Sequence, residues 1–138
     1  PPPPIFFSGT EVGLSQGHDP DPPDGSRRLE ESRTPMPWGD DQDRDLFAFY
    51  RRLVAARRAR PDLWRTRRRI ALSIGDEHFV IQLDDGTDRG IVAVNRSSSP
   101  LPIEVPAATS PLVATEDIEL GTDGGLVLPP LSGVVLVN

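Results

Sequence analysis

The side chains of this 138-residue chain that could do chemistry are mainly carboxylates and guanidinium groups. Asp19 is followed by Arg27 and Arg28, and the indole of Trp38 comes later in the same segment. A carboxylate accepts two hydrogen bonds and an arginine donates in a fork, so these residue types suit a ligand with several hydroxyl groups. The alternative is that Asp19 caps the turn at Pro20 and that the arginines are solvated or paired internally.

Other kinds of reactive site find no support in the sequence. The chain has no cysteine, no Gly-rich phosphate loop and no Ser-His-Asp ordering. His78 has no second ligand residue at a metal-binding spacing, so it is interpreted as a histidine of the surface or the core edge. We therefore predict no metal and no cofactor.

Length and charge bound the class of protein. The chain suffices for one domain with a modest core, whereas a closed eightfold α/β barrel needs roughly 200 residues or more. The net charge is −6, with 21 acidic residues against 15 arginines. This balance argues against a nucleic-acid or membrane-surface binder, and no apolar run approaches the ~18 residues of a membrane span. The nine arginines between Arg51 and Arg69 are interpreted as a solvated helix face.

The N-terminal half is predicted to hold one strand, one long loop and one helix. Residues 5–14 are predicted to be a short strand that runs into a Gly-punctuated turn, since an apolar run such as Ile5-Phe6-Phe7 is typical of a strand buried on both faces. Residues 15–42 are too rich in Pro, Gly and charge for a periodic element. A helix is predicted over 43–60, with Asp43 as N-cap, Pro61 as its stop and one buried face made of Leu46, Phe49, Tyr50, Leu53, Val54 and Arg57.

From residue 68 onward the pattern changes to short β-branched or aromatic runs separated by turn residues. Seven strands in about 70 residues favour an antiparallel sandwich or barrel. The predicted strands are Ile70–Ile74, His78–Leu83, Gly90–Val94, Leu101–Val105, Leu112–Thr115, Leu126–Leu128 and Val134–Val137.

Several stretches resemble the C-terminal part of the α-amylase family of glycoside hydrolases. Ile5 to Leu14 is similar to the eighth barrel strand of that family, with Thr10 where Asp is commoner. Arg33-Thr34-Pro35-Met36-Pro37-Trp38 resembles a stretch that follows this strand in maltogenic-amylase and neopullulanase-like members. Residues 46–58 resemble the eighth helix, and Ala93–Arg96 and Leu128–Gly133 resemble strand segments of the C-terminal sandwich.

The resemblance implies a mainly β fold: an antiparallel Greek-key β-sandwich preceded by a strand, a long loop and a helix that remain from a (β/α)8 barrel. Residues 1–61 would be the last β/α unit of the catalytic barrel, and residues 62–138 the C-terminal sandwich domain. The opening on four prolines, without an initiator Met, also suggests a fragment of a longer parent enzyme.

The same resemblance implies where the catalytic residues are. In the family a nucleophilic Asp, a Glu acid/base and a second Asp lie on strands four, five and seven. A retaining mechanism needs the first two close together across the scissile bond. These strands would precede Pro1, so we expect no catalytic residue in this chain. His18-Asp19 is not the Asn-His-Asp motif of the family, because Gly17 precedes it. Glu11 is expected to be a structural carboxylate at the turn after strand eight.

His18-Asp19-Pro20-Asp21 does resemble the Asn-Asp-Pro loop of the family, whose Asp and a later Arg bind a glucose unit. By that resemblance Asp19 would bind substrate, with Arg27 or Arg28 as its partner, although residues 22–26 look like an insertion before the two arginines. Trp38 could stack on a sugar ring or pack the loop against the barrel.

Three functions compete on this evidence. The first is the C-terminal portion of an α-glucan-acting glycosidase, in which the sandwich is structural and the chain alone does not catalyse. The second is a carbohydrate-binding module, against which Phe79 counts as the only aromatic residue in 68–138. The third is a protein-interaction sandwich. Expected partners are an α-glucan or maltooligosaccharide in the parent, the upstream barrel and, for the fragment, a second copy. The compartment stays open.

Overall fold

The computed structural model describes residues 6–15, 22–26, 34–106, 109–121 and 124–138. Two compact units, Pro2–Arg52 and Leu53–Asn138, make up the chain. Every strand of the described residues belongs to the second unit. The proposed domain boundary of the parent enzyme after residue 61 stays a prediction.

The second unit contains the seven strands that alternation and turn residues predicted. Each observed bound lies within two residues of the predicted one. The strands are β1 (Arg68–Ile74), β2 (His78–Asp84), β3 (Arg89–Asn95), β4 (Leu101–Glu104), β5 (Ser110–Ala114), β6 (Gly125–Leu128) and β7 (Ser132–Val137).

All strand pairs are antiparallel, and they form two sheets. Five strands follow the order β1-β2-β3-β7-β5, while β4 and β6 pair with each other. After β3 the chain therefore alternates between the sheets, and β7 returns to pair with β3, placing Ile91 opposite Leu136. The predicted mainly β fold with antiparallel sheets is confirmed.

The core lies between the two sheets. Alternate side chains of a strand point to the same face of a sheet. The side chains of β2, β3 and β7 that point inward therefore pack against those of β6 and against the residue that follows β4, in one buried cluster. Each fully buried aliphatic side chain contributes roughly 1.5–3 kcal/mol to the free energy of unfolding. The cluster consists of Val80, Ile91, Ala93, Val105, Leu126, Leu128, Val134 and Leu136.

A second, smaller cluster lies on the outer face of the five-stranded sheet. Leu63 is fully buried there against Leu83 and Val137, with Trp64 beside it. Leu63 belongs to a short helix, α2 (Pro61–Arg65), that the sequence did not predict. Pro61 was interpreted only as a stop, but proline also suits the first turn of a helix, where its missing N–H has no partner to lose.

The predicted long helix is present as α1 (Arg44–Ala59). Asp43 caps it as predicted, because its Oδ1 accepts a hydrogen bond of 2.8 Å from the N–H of Leu46. The predicted buried face is only partly covered. Val54 is 41% exposed and Arg57 is exposed, whereas Ala56, outside the predicted set, is the buried residue of α1. An amphipathic stripe is buried only when another layer covers it, and the described residues cover this stripe incompletely.

Over residues 5–14 the predicted strand is wrong for its described part, whereas the predicted Gly-punctuated turn is present. Residues 6–15 contain a 3₁₀ turn, Thr10–Val12, and no strand. Gly9 and Gly13 flank it with positive φ angles of 91° and 77°. A barrel strand is held by hydrogen bonds to neighbouring strands, and the described part of the first unit offers none.

Candidate functional site

Three of the four predicted substrate-binding residues, Asp19, Arg27 and Arg28, lie outside the described residues. Trp38 is described, and its side chain is 75% exposed. It has an extended backbone and directly precedes a 3₁₀ turn, Gly39–Asp41. Two roles are predicted for Trp38, stacking on a sugar and packing against a barrel. An exposed ring is compatible with both roles, so both stay predictions.

The backbone around Trp38 is held by polar contacts on both sides. The Nε2 of Gln42 donates a hydrogen bond of 2.9 Å to the carbonyl of Pro37. Arg44 and Asp40 form an exposed ion pair at 2.7 Å, which contributes at most about 1 kcal/mol. Trp38 therefore projects from a braced turn at the start of α1, an arrangement that suits contact with a flat, partly apolar ligand.

Glu11 lies in the turn Thr10–Val12 and is partly exposed. Backbone bonds hold that turn: the N–H groups of Val12 and Leu14 both donate to the carbonyl of Gly9, at 3.1 and 2.9 Å. The N–H of Asp43 donates to the carbonyl of Val12 at 3.0 Å, which ties the turn to the start of α1. The structural role of Glu11 itself stays a prediction.

A cleft of about 370 Å³ opens beside α1 and α2 within the second unit. Its side chains combine one indole with three guanidinium groups, a combination that can stack on a ring and donate to hydroxyl or acidic groups. Trp64 is fixed in this cleft, because its Nε1 donates a hydrogen bond of 3.3 Å to the carbonyl of Ala56. The lining residues are Val54, Arg57, Arg58, Pro61, Trp64 and Arg65.

A second cleft, of about 480 Å³, lies where α2 meets the turn between β2 and β3. Arg60 and Asp88 form an ion pair across it at 2.5 Å, with about a third of each side chain exposed. Asp85, in the same turn, accepts backbone hydrogen bonds of 2.8 Å from Asp88 and Thr87. These bonds, that of Asp88 first, lower the pKa of the Asp85 carboxyl, with a smaller contribution from the charge of Arg60.

Neither of the two described clefts holds a group of side chains that could bind a metal ion. Among the described residues, no cluster of three or more His, Asp or Glu side chains could hold a metal ion. His78 instead lies 2.9 Å from the hydroxyl of Ser73, through its Nε2. In the described part of the chain, no helix is long and apolar enough to cross a membrane.

The sequence analysis did not identify the cleft at Trp64. The interpretation of the arginines from Arg51 to Arg69 as one solvated face gives no indication that Arg57, Arg58 and Arg65 line one cavity. The signal that could have found it is the short spacing from Pro61 to Trp64, which indicates a second helix that turns an aromatic ring back toward α1.

No protein-family model matches the chain. Among curated proteins, α-amylase 2 of Dictyoglomus thermophilum is 45% identical over 64 residues, which are 45% of this chain and 11% of that protein. The chain thus spans about a tenth of the length of this relative.

Solved structures of two enzymes named for sugars match more of the chain. The cyclic α-maltosyl-(1→6)-maltose hydrolase of Arthrobacter globiformis is 26% identical, with a TM-score of 0.65, over 98% of this chain and 26% of that one. The trehalulose synthase MutB of Pseudomonas mesoacidophila MX-45 is 18% identical, with a TM-score of 0.56, over 67% of this chain and 18% of that one, and shows the fold alone.

The fold is thus that of a β-sandwich segment found within much longer sugar-acting enzymes. The chain is similar to an α-amylase over 64 residues and to a solved sugar-acting enzyme over most of its length, which agrees with the resemblance to the α-amylase family of glycoside hydrolases.

Proposed function

We propose that this chain is the C-terminal portion of a retaining α-glucan-acting glycosidase and that its sandwich stabilises the catalytic barrel. The chain itself takes no part in bond cleavage, since the catalytic carboxylates that the family resemblance implies belong to strands outside it. Contact with an α-glucan or maltooligosaccharide falls to the loop that holds Asp19, Arg27, Arg28 and Trp38.

The observation that carries this proposal is the attachment of the helical segment to the sandwich. Leu63 is fully buried against the outer face of the five-stranded sheet, and Arg60 forms its ion pair with Asp88. The hydroxyl of Thr66 also donates a hydrogen bond of 2.6 Å to the carbonyl of Asp84. The segment from Arg60 to Thr66, which includes α2, is therefore fixed to the sandwich by a buried side chain, an ion pair and a hydrogen bond.

Exposed apolar side chains support an upstream partner. Phe6, Phe7 and Phe47 of the first unit are exposed, and so is Val54 of the second. Aromatic and aliphatic groups of this size contribute most to stability when they are covered, so each unit carries surface that a further layer would bury. A barrel that packs on α1 is the partner that the family resemblance provides.

The names of the relatives support the class of substrate. An α-amylase and a cyclic α-maltosyl-(1→6)-maltose hydrolase both act on sugars by the words of their names. Hydrolysis of α-1,4-glucosidic bonds in a maltooligosaccharide is the activity that we assign to the parent enzyme.

The structural role can be tested in the full-length parent enzyme with Leu63→Ala. Removing a buried leucine side chain costs about 2–5 kcal/mol, so we expect the temperature of half-inactivation to fall while kcat/KM for maltotetraose at 25 °C stays unchanged. Leu131→Ala is the matched control, since Leu131 is exposed and the same atoms are removed. An altered KM at 25 °C with unchanged heat resistance would instead indicate a binding role for the sandwich.

A further inference from the structure

We propose that the free edge of β1 pairs antiparallel with β1 of a second copy of this chain. β1 is the first strand in the order β1-β2-β3-β7-β5, so one of its sides faces no described strand. All seven of its residues are exposed. The unpaired N–H and C=O groups of such an edge are a template for another strand.

The side chains of β1 are unusually apolar for an edge. Ile70, Leu72 and Ile74 are 53%, 46% and 69% exposed. Edge strands that avoid association carry charges or proline along their length. The opposite edge of the sheet, β5, has Pro111 as its second residue, whereas residues 70–74 of β1 contain neither charge nor proline.

A β-bulge lies at the centre of β1. Ala71 is opposite Ile81 and Ser73 is opposite Val80, so Leu72 has no partner on β2. The extra residue bends the strand and leaves only short regular stretches on either side. We therefore expect a short ladder, and a dimer in reversible exchange with the monomer.

The charges at and beyond the two ends of β1 indicate that its partner is a second copy of this chain. Arg67 and Arg68 lie five and four residues before Leu72, and Asp76 and Glu77 lie four and five residues after it. An antiparallel pair centred near Leu72 therefore places the basic end of each β1 beside the acidic turn of the other copy. All four residues are exposed, and opposite charges facing each other across strands are favourable.

The experiment measures the mass of the 138-residue chain by sedimentation velocity over a concentration series. Wild type should dimerise, and Arg67→Glu or Glu77→Arg alone should raise the dimer dissociation constant about tenfold, since each dimer contains two such pairs. An equimolar mixture of the two variants should restore the dimer, because opposite charges face each other again. Arg58→Glu on α1 is the control for Arg67→Glu, as it makes the same change in net charge away from β1.

Further outcomes overturn the proposal. The proposal is wrong if the wild type is monomeric. It is also wrong if the mixture of the two variants fails to associate although circular dichroism shows that each variant is folded. Association that survives Leu72→Lys but is lost in Phe7→Ser or Trp38→Ser would place the contact on the exposed aromatic residues of the first unit instead.

Discussion

Asn95 at the end of β3 donates a side-chain hydrogen bond of 2.9 Å to the backbone carbonyl of Pro129, 34 residues further along the chain. The same amide group also lies within hydrogen-bond distance of the carbonyls of Ser99 and Leu128, at 2.9 and 3.3 Å. Its Oδ1 accepts from the N–H and the hydroxyl of Ser97. One buried amide thus joins the β3–β4 connection to the end of β6. Asn95 and Pro129 themselves lie in the two segments, Ala93–Arg96 and Leu128–Gly133, that resemble the family sandwich.

Replacing Asn95 by Ala should destabilise the second unit by about 2–3 kcal/mol, because two loops would lose their shared partner and buried carbonyls would be left unpaired. Chemical unfolding followed by Trp64 fluorescence, in a Trp38→Phe background, reports on this unit alone, since the chain has two tryptophans. Asn138→Ala, which removes an exposed side chain that accepts one hydrogen bond of 2.6 Å from the N–H of Arg89, should cost less, about 0.5–1.5 kcal/mol. Equal effects of the two substitutions would show that Asn95 does not join the loops energetically.

Gly90 of β3 lies directly beneath Leu63 of α2. A Cβ atom added at residue 90 would come within 2.8 Å of Leu63 Cδ2 and within 3.4 Å of the carbonyl oxygen of Leu136. Because Leu63 is fully buried, it has little room to move, so Gly90→Ala should cost about 1–3 kcal/mol through overpacking. The measurement is the same Trp64 unfolding curve.

A double-mutant cycle checks that cause. In the Leu63→Ala background the clash is gone, so Gly90→Ala should then cost less than in wild type, with a coupling of about 0.5–3 kcal/mol. Strict additivity of the two substitutions would mean that Gly90 is needed for its backbone and not for its closeness to Leu63.

Asp85 should make the second unit more stable above about pH 4 than below it. Hydrogen bonds from the N–H groups of Asp88 and Thr87 lower the pKa of its carboxyl in the folded state. A lowered folded pKa gives stability that is complete above the ordinary Asp value of about 3.9 and is lost as the pH falls through the folded pKa.

Asp85→Asn keeps a carbonyl oxygen that can accept these bonds but removes the titration. The variant should therefore lose less stability than wild type between about pH 5 and pH 2, measured as the urea midpoint at each pH. Asp76→Asn, in the turn between β1 and β2, removes the same charge elsewhere and serves as control. Parallel pH curves for wild type and Asp85→Asn would rule out this source of acid sensitivity.

The strands could be predicted from sequence because each is bounded by its own local signal. Asp84-Asp85-Gly86 separates β2 from β3, and Asp85 does cap that turn, so alternation and turn residues suffice to find these elements. α2 was missed because its five residues are too short for a periodic pattern, and its one buried residue, Leu63, depends on a sheet formed later in the chain.

The first unit was harder to predict for a physical reason. Its apolar residues matched the pattern of a barrel strand and a buried helix face, but a strand requires neighbours with which to form hydrogen bonds. Phe6 packs edge-on against Tyr50, with ring centroids 5.3 Å apart, and no periodicity shows a contact between residues so distant in the sequence. The role of Trp38 likewise depends on what covers its exposed ring, and a single sequence carries no information on that.

Asp19→Ala, made in the full-length parent enzyme, should weaken the binding of longer maltooligosaccharides more than it slows bond cleavage. By the family resemblance, this carboxylate would accept hydrogen bonds from a glucose unit away from the scissile bond. Losing one charged hydrogen bond costs on the order of 1.5–3 kcal/mol, which is about tenfold to a hundredfold in affinity. Steady-state kinetics with maltotetraose should then show a raised KM, with kcat changed far less.

Asp24→Ala is the matched control, since the Asp24 carboxylate is already occupied by the N–H and the hydroxyl of Ser26, at 2.8 and 2.6 Å. Its removal should disturb only the local turn and leave KM as in wild type. Arg27→Ala and Arg28→Ala test which arginine is the partner of Asp19. Replacing the arginine that binds the same glucose should raise KM, and in the double variant with Asp19→Ala the two effects on KM should not add fully. If Asp19→Ala and Asp24→Ala give the same kinetics as wild type, Asp19 is a turn residue that caps Pro20, and sugar binding must rest on other groups.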